Sequence, residues 1–205
     1  MLFLTDKGYE QRYFFIIPVK YSTALPNFES WLNQQGYAKT EDKNKENLKW
    51  LRNYSRETYR AYMFYHIAKD MTVVSEIIQQ KELRNVIDLF FDKDAKEISQ
   101  VIDSKIFYIA NEHSMELFAV FRNGNKIRKL EMHTHSPNIQ LEEAGRIVSL
   151  DEIKKRDYFS SKDYIRSLDC PIEIHKQSIK RIVKKAVKKE LFLFCKQHNK
   201  TMDRI

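Results

Sequence analysis

The stretch Met115-Glu-Leu-Phe-Ala-Val-Phe-Arg122, then Asn123-Gly124, then Asn125-Lys-Ile-Arg-Lys-Leu-Glu-Met-His133 sets two β-prone runs on either side of an Asn-Gly pair. A type I′ turn needs positive φ at both central residues, which Asn and Gly tolerate best, so the stretch predicts a β-hairpin. With a two-residue turn the opposed pairs are Val120/Ile127, Leu117/Leu130 and Met115/Met132. Phe118 then faces Lys129 and Glu116 faces Glu131. A one-residue bulge re-pairs the strands without giving a cleaner apolar face, so the register stays open at this level.

Working outward, the hairpin follows the apolar run Lys105-Ile-Phe-Tyr-Ile-Ala110 and a polar break. A short strand near 147–150 is expected after Glu142-Glu143-Ala144-Gly145. Near the N-terminus, Arg12 to Val19 is almost continuously apolar and reads as a buried strand, ended by Pro18, which cannot donate to a ladder. In Leu25 to Tyr37, Phe28, Trp31 and Leu32 share a helical face, Pro26 suits a first turn and Gly36 suits the left-handed position after a helix.

Residues 38–47 read as a charged connector. The spacing of Tyr59, Tyr62, Met63, His66 and Ile67 predicts a helix over Asn47 to Lys69. A second helix is expected with Thr72 as N-cap and Val74, Ile77 and Ile78 inward. Leu83 to Phe91 fits a helix, and Asp94 then caps a short one presenting Ile98, Val101 and Ile102. Pro171 opens the last element, a helix over Gln177 to Asn199. Its apolar face carries Ile179, Ile182, Val183, Ala186, Val187, Leu191 and Phe194. The opposite face carries Lys180, Arg181, Lys184, Lys185, Lys188 and Lys189. The expected fold is therefore α+β, a single domain over 1–205. Its central antiparallel sheet holds the Asn123-Gly124 hairpin and is packed by several helices, the last of them basic.

Composition narrows the function. Four Gly and four Pro in 205 residues argue against disordered linkers. No apolar run is long enough for a membrane span, and the first residues lack the basic and small-residue features of a secretory signal. Two cysteines, Cys170 and Cys195, are too few for a disulfide framework or a structural zinc site, and a reduced, cytoplasmic setting is expected. The net charge of +8 is concentrated: residues 171–205 hold ten Lys/Arg against three acids, while residues 1–170 hold 26 against 25. Electrostatic recognition therefore belongs to the last 35 residues.

Several patterns suggest chemistry, and each lacks a member. His133 and His135 share a strand face, as metal ligands or an acid/base pair would, but no third ligand stands at a recognisable spacing. Glu152-Ile153-Lys154 has the Glu-x-Lys shape of metal-dependent nucleases, with Glu131 or Glu116 as the partner carboxylate. A helix start capped by Asp151 explains it more simply. Asp92-Lys93-Asp94 lacks the glycine and distal glutamate of a calcium loop. Nothing in sequence near Cys170 would activate it. Arg52, Arg56 and Arg60 interleave with tyrosines between Tyr54 and Tyr65, a combination suited to stacking nucleic-acid bases. No cofactor is implied.

Phe121-Arg-Asn-Gly-Asn-Lys-Ile-Arg-Lys-Leu-Glu131, followed about ten residues on by Leu141-Glu-Glu-Ala-Gly-Arg-Ile-Val-Ser-Leu-Asp-Glu152, resembles a pattern in small bacterial immunity proteins. There, a strand ending in Asp-Gly-Lys, a return strand with a basic residue and a Glu-Gly segment form the central sheet. The resemblance covers about a fifth of the chain. The family's bulky aromatic before Glu-Gly is missing here, and many members are acidic. It implies a non-catalytic protein that neutralises a cognate toxin, one whose contacting surface is acidic. No functional residues carry over. The basic C-terminal residues, Lys180, Arg181, Lys184, Lys185, Lys188 and Lys189, are the expected partner-binding surface. The competing reading is a nucleic-acid-binding protein or small metal-dependent nuclease using that basic helix.

Overall fold

The computed structural model describes residues 9–10, 13–40, 57–67, 70–79, 89–111, 115–133, 139–149, 151–152 and 184–197. In chain order the elements are β1 (Tyr9–Glu10), β2 (Tyr13–Ile17), α1 (Tyr21–Gln34), β3 (Tyr37–Thr40), β4 (Tyr59–Ile67), β5 (Met71–Glu76) and β6 (Ile78–Gln79). Then come α2 (Leu89–Val101), β7 (Ile106–Asn111), β8 (Met115–Arg122), β9 (Asn125–His133), β10 (Ile139–Glu143), β11 (Arg146–Val148) and β12 (Lys188–Lys196). Ten strands form one antiparallel sheet in the order β11-β10-β9-β8-β7-β2-β5-β4-β12-β3, and β1 pairs separately with β6. No described helix is long and apolar enough to cross a membrane.

Strand β2 lies in the interior of the sheet, paired with β5 on one side and β7 on the other. All five of its residues are buried, which is why its sequence is apolar at consecutive positions. It stops at Ile17, before Pro18. Helix α1 starts earlier than its apolar face suggests, so Pro26 is its sixth residue. It ends as expected, with Gly36 at φ +80° and the Gly36 amide donating to the Asn33 carbonyl (2.9 Å).

The Asn123-Gly124 hairpin forms, with φ of 49° and 74° at the two turn residues. Ala144 and Gly145, at 47° and 81°, make the equivalent turn between β10 and β11. A bulge settles the hairpin register. Phe121 pairs with Lys126 but Val120 pairs with Arg128, leaving Ile127 as the extra residue. Phe118 then faces Leu130, which in turn faces Leu141, and Leu141 faces Val148. The one-residue shift thus aligns an apolar row across four strands, where the simple register opposes Phe118 to a lysine. The Ile127 carbonyl accepts from the Ala144 amide at 2.9 Å, so the bulge leaves no orphan there.

The expected α+β fold with several helices is corrected to a predominantly β architecture with two helices among the described residues. Residues 59–67 and 71–76 are strands where helices were expected, and Thr72 lies within β5. Residues 188–196, expected in a basic terminal helix, form β12 between β4 and β3. Residues 47–56, 83–88, 177–183 and 198–199 lie outside the described residues. All three errors share one cause. A strand buried on both faces is apolar at odd and even positions, so a 3.6-residue spacing can be drawn through it. In β12, Leu191 and Leu193 pack on one face of the sheet while Phe192 and Phe194 pack on the other. In β4, Met63 and Tyr65 face one way, Tyr62 and Phe64 the other.

Both helices lie on the same sheet face. Phe28 and Trp31 of α1 and Ile98 of α2 meet Tyr13, Phe15, Tyr62 and Phe64 there. Phe28 makes edge-on contacts with Trp31, Tyr62 and Phe64 at 4.8–5.2 Å between ring centres. The sequence suggests two short elements around Asp94, yet α2 is one helix and Asp94 sits in its interior. Its C-terminal half seats the hairpin, because Ser99 Oγ accepts from the Gly124 amide at 3.0 Å. The opposite sheet face buries Phe14, Ile16, Val73, Phe107 and Phe118, and no described helix lies on it.

Candidate functional site

Of the six basic residues expected to bind a partner, Lys184, Lys185, Lys188 and Lys189 are described and exposed, and Lys180 and Arg181 lie outside the described residues. The four described lysines do not line one helix face. Lys184 and Lys185 precede β12, and Lys188 and Lys189 open it with their side chains on opposite faces of the sheet. Val187 between them is 79% exposed, and its amide donates to the His66 carbonyl at 2.9 Å. Four exposed cations therefore flank one exposed apolar residue in sequence at the point where β12 joins the sheet.

Beside this patch is a constellation that sequence reading did not find. Glu190, two residues into β12, takes Lys188 Nζ on Oε1 at 2.7 Å and the Tyr21 hydroxyl on Oε2. His66 Nε2 of β4 stands 3.8 Å from the same Oε2, and the Tyr21 ring packs on the imidazole. The pairing of Lys188 with His66 across β4 and β12 creates the cluster, so only the sheet register brings its members together. Burial pushes the Tyr21 phenol up, and Glu190 adds to this, so the hydroxyl stays a donor. Burial would raise the Glu190 carboxyl, but the Lys188 and Tyr21 hydrogen bonds outweigh it and hold it below the usual range. Burial lowers His66, Lys188 lowers it further, and Glu190 opposes both.

A second cluster lies under the helices. Arg60 of β4, 3% exposed, makes a two-pronged contact with Glu76 of β5 (3.3 and 3.4 Å) and a hydrogen bond to Asp94 of α2. It also donates to Gln35 Oε1 at 3.2 Å and lies 4.9 Å from the Trp31 ring centre. Burial would lower its pKa, but Glu76 and then Asp94 raise it well above the ordinary value, so it is a permanent cation. The knot ties α2 to the sheet and the end of α1 to both. It also corrects the Arg/Tyr stripe: Arg60, Tyr62 and Tyr65 are buried, on a strand, and offer no platform to a base. Arg52, Arg56 and Tyr54 lie outside the described residues.

The nuclease-like residues are not assembled. Glu131 pairs with Lys129 (3.3 Å) on β9. Glu152 takes Arg146 on both oxygens (3.1 and 3.3 Å) and closes a capping box with Ser149, whose amide and hydroxyl it accepts while Ser149 Oγ accepts the Glu152 amide. Ser149, and not Asp151, is thus the cap. Arg146 and the Ser149 amide hold the Glu152 carboxyl below its usual range. His133 is the last residue of β9, Glu116 lies on β8 opposite Met132, and His135 and Lys154 lie outside the described residues. Asp92 and Asp94 do not form a cation loop: they are helical, Asp92 pairing with Lys126 (3.6 Å) and Asp94 with Arg60. Cys195 is a half-buried free thiol, and Cys170 lies outside the described residues. No group of three or more His, Cys, Asp or Glu among the described residues is placed to hold a metal ion. No protein-family model, curated protein or solved structure matches the chain.

Proposed function

We propose that this chain is a protein-binding module of the toxin-neutralising kind, and that it engages an acidic surface through Lys184, Lys185, Lys188 and Lys189 around Val187. One observation carries the reading. Lys184, Lys185 and Lys189 have no carboxylate partner among the described residues, whereas Lys126, Arg128, Lys129 and Arg146 each have one at 2.8–3.3 Å. Cations left unpaired around an exposed apolar side chain suit a protein interface with an acidic rim and an apolar centre. The resemblance to immunity proteins adds support, since its two stretches form adjoining strands at one end of the sheet.

The competing reading, a nucleic-acid binder or small nuclease, draws on the same lysines. It loses the contribution of Arg60, Tyr62 and Tyr65, which are buried. The two separate by salt, because phosphate contacts weaken steeply as salt rises while a partly apolar protein interface persists. The chain is co-expressed with the product of each flanking reading frame and captured at about 0.5 M NaCl, where surface charges are strongly screened. The expected result is retention of one of those products by the wild type and its loss from the K184E/K185E/K189E variant. Nucleic acid that co-purifies and elutes with salt, with neither product retained, overturns the proposal.

A further inference from the structure

We propose that His66 is a proton-operated gate on the lysine patch: a proton on its imidazole pairs with Glu190, offsets the carboxylate charge that now neutralises Lys188, and strengthens binding of an acidic partner. The inference rests on the patch being the docking surface. Its basis is the sharing of one carboxylate. Glu190 now gives one oxygen to Lys188 and the other to the Tyr21 hydroxyl. The 3.8 Å to His66 Nε2 is too long for a hydrogen bond but short enough for an ion pair once the ring is charged. That nitrogen is buried and has no hydrogen-bond partner among the described residues. The His66 and Glu190 side chains are 26% and 27% exposed, so protons reach them.

The other charged and polar groups facing His66 have partners of their own. Tyr21 of α1 stays protonated and Glu190 of β12 stays ionised, for the reasons given above. Lys188 is paired with Glu190 at 2.7 Å. Glu29 of α1, which also acts on Tyr21, is held by Lys39 at 2.6 Å. Lys20 before α1 and Asp70 in the β4–β5 turn pair with each other at 3.6 Å. Thr72, opposite His66 on β5, is uncharged and donates to the Val19 carbonyl. His66, held below the ordinary imidazole value by burial, is the histidine of this cluster and gains its charge as pH falls. Its proton adds a positive charge beside the patch and offsets the Glu190 charge that now neutralises Lys188.

A short poly-L-aspartate, mostly ionised at both values, serves as the acidic probe at about pH 7.5 and about pH 5.0. Wild type is expected to bind about two- to fivefold more tightly at the lower pH, beyond the increase shown by H66Q, whose remaining histidines supply the background. NMR titration of His66 is expected to give a lower midpoint in E190Q than in wild type. A pH response in H66Q equal to that of wild type, or an E190Q midpoint that does not move, overturns the gate. The docking surface itself then still stands. Failure of the wild type to bind the probe at either pH overturns both.

Discussion

Replacing Arg60 with methionine keeps the length of the side chain and removes its charge, leaving Glu76 and Asp94 facing each other inside the protein. Both are nearly inaccessible, at 1% and 4% exposure, and Arg60 supplies the cation between them. Removing one partner of a buried ion pair costs about 3–5 kcal/mol, mainly because the other charge is left without compensation. For a chain of this length that corresponds to a fall in Tm of roughly 6–20 °C. Urea denaturation followed by circular dichroism gives the loss, and Trp31 fluorescence reports the same region, since its ring contacts Arg60. The sign with pH is a second check. In the variant the two carboxylates lose this cation and can relieve the penalty by taking a proton, so the cost should shrink between about pH 7 and about pH 4.5. Neutralising all three groups (R60M/E76Q/D94N) should recover much of the lost stability, because the desolvated charge is then gone. A loss below about 1 kcal/mol, or one of the same size at both pH values, would refute the view that this knot holds α2 on the sheet.

The remaining stability predictions concern the hairpin and its edge. Gly124→Ala should cost about 1–2 kcal/mol, because the residue sits at φ +74°. Its new Cβ would also meet Gln100 side-chain atoms at 2.3–2.7 Å, so adding Gln100→Ala should relieve the clash and leave the backbone penalty, read from urea midpoints. Leu141→Ala, at 1% exposure in the row from Phe118 to Val148, should cost about 2–5 kcal/mol. Ile147→Ser, at 75% exposure on the next strand, should change stability by less than about 0.5 kcal/mol. Equal effects at these two positions would contradict the register across β9, β10 and β11.

What could be read from the chain alone was local. Asn123-Gly124, Pro18 and Gly36 act through their own backbone angles or a missing amide, so a turn, a strand end and a helix end were legible without knowing what packs nearby. The bulge at Ile127 was not, because its merit lies in aligning Leu130 with Leu141 on a third strand. Strands β4, β5 and β12 were misread as helices because burial on both faces removes the alternation that marks a strand. The Ser149-x-x-Glu152 box is legible in the sequence, beside an Asp151 that reads equally as a cap until the hydrogen bonds decide.

The candidate site divides along the same line. Sequence determined that cationic charge gathers near the end of the chain, and the exposed patch at Lys184 to Lys189 follows from it. Only the tertiary structure decided that this stretch is a strand, that Lys188 lies opposite His66, and that Glu190 reaches the Tyr21 hydroxyl. Arg60 likewise meets Glu76 and Asp94 across 16 and 34 residues of chain. The partner of a charge is set by sheet register, and register is chosen by the apolar rows that two faces must bury together.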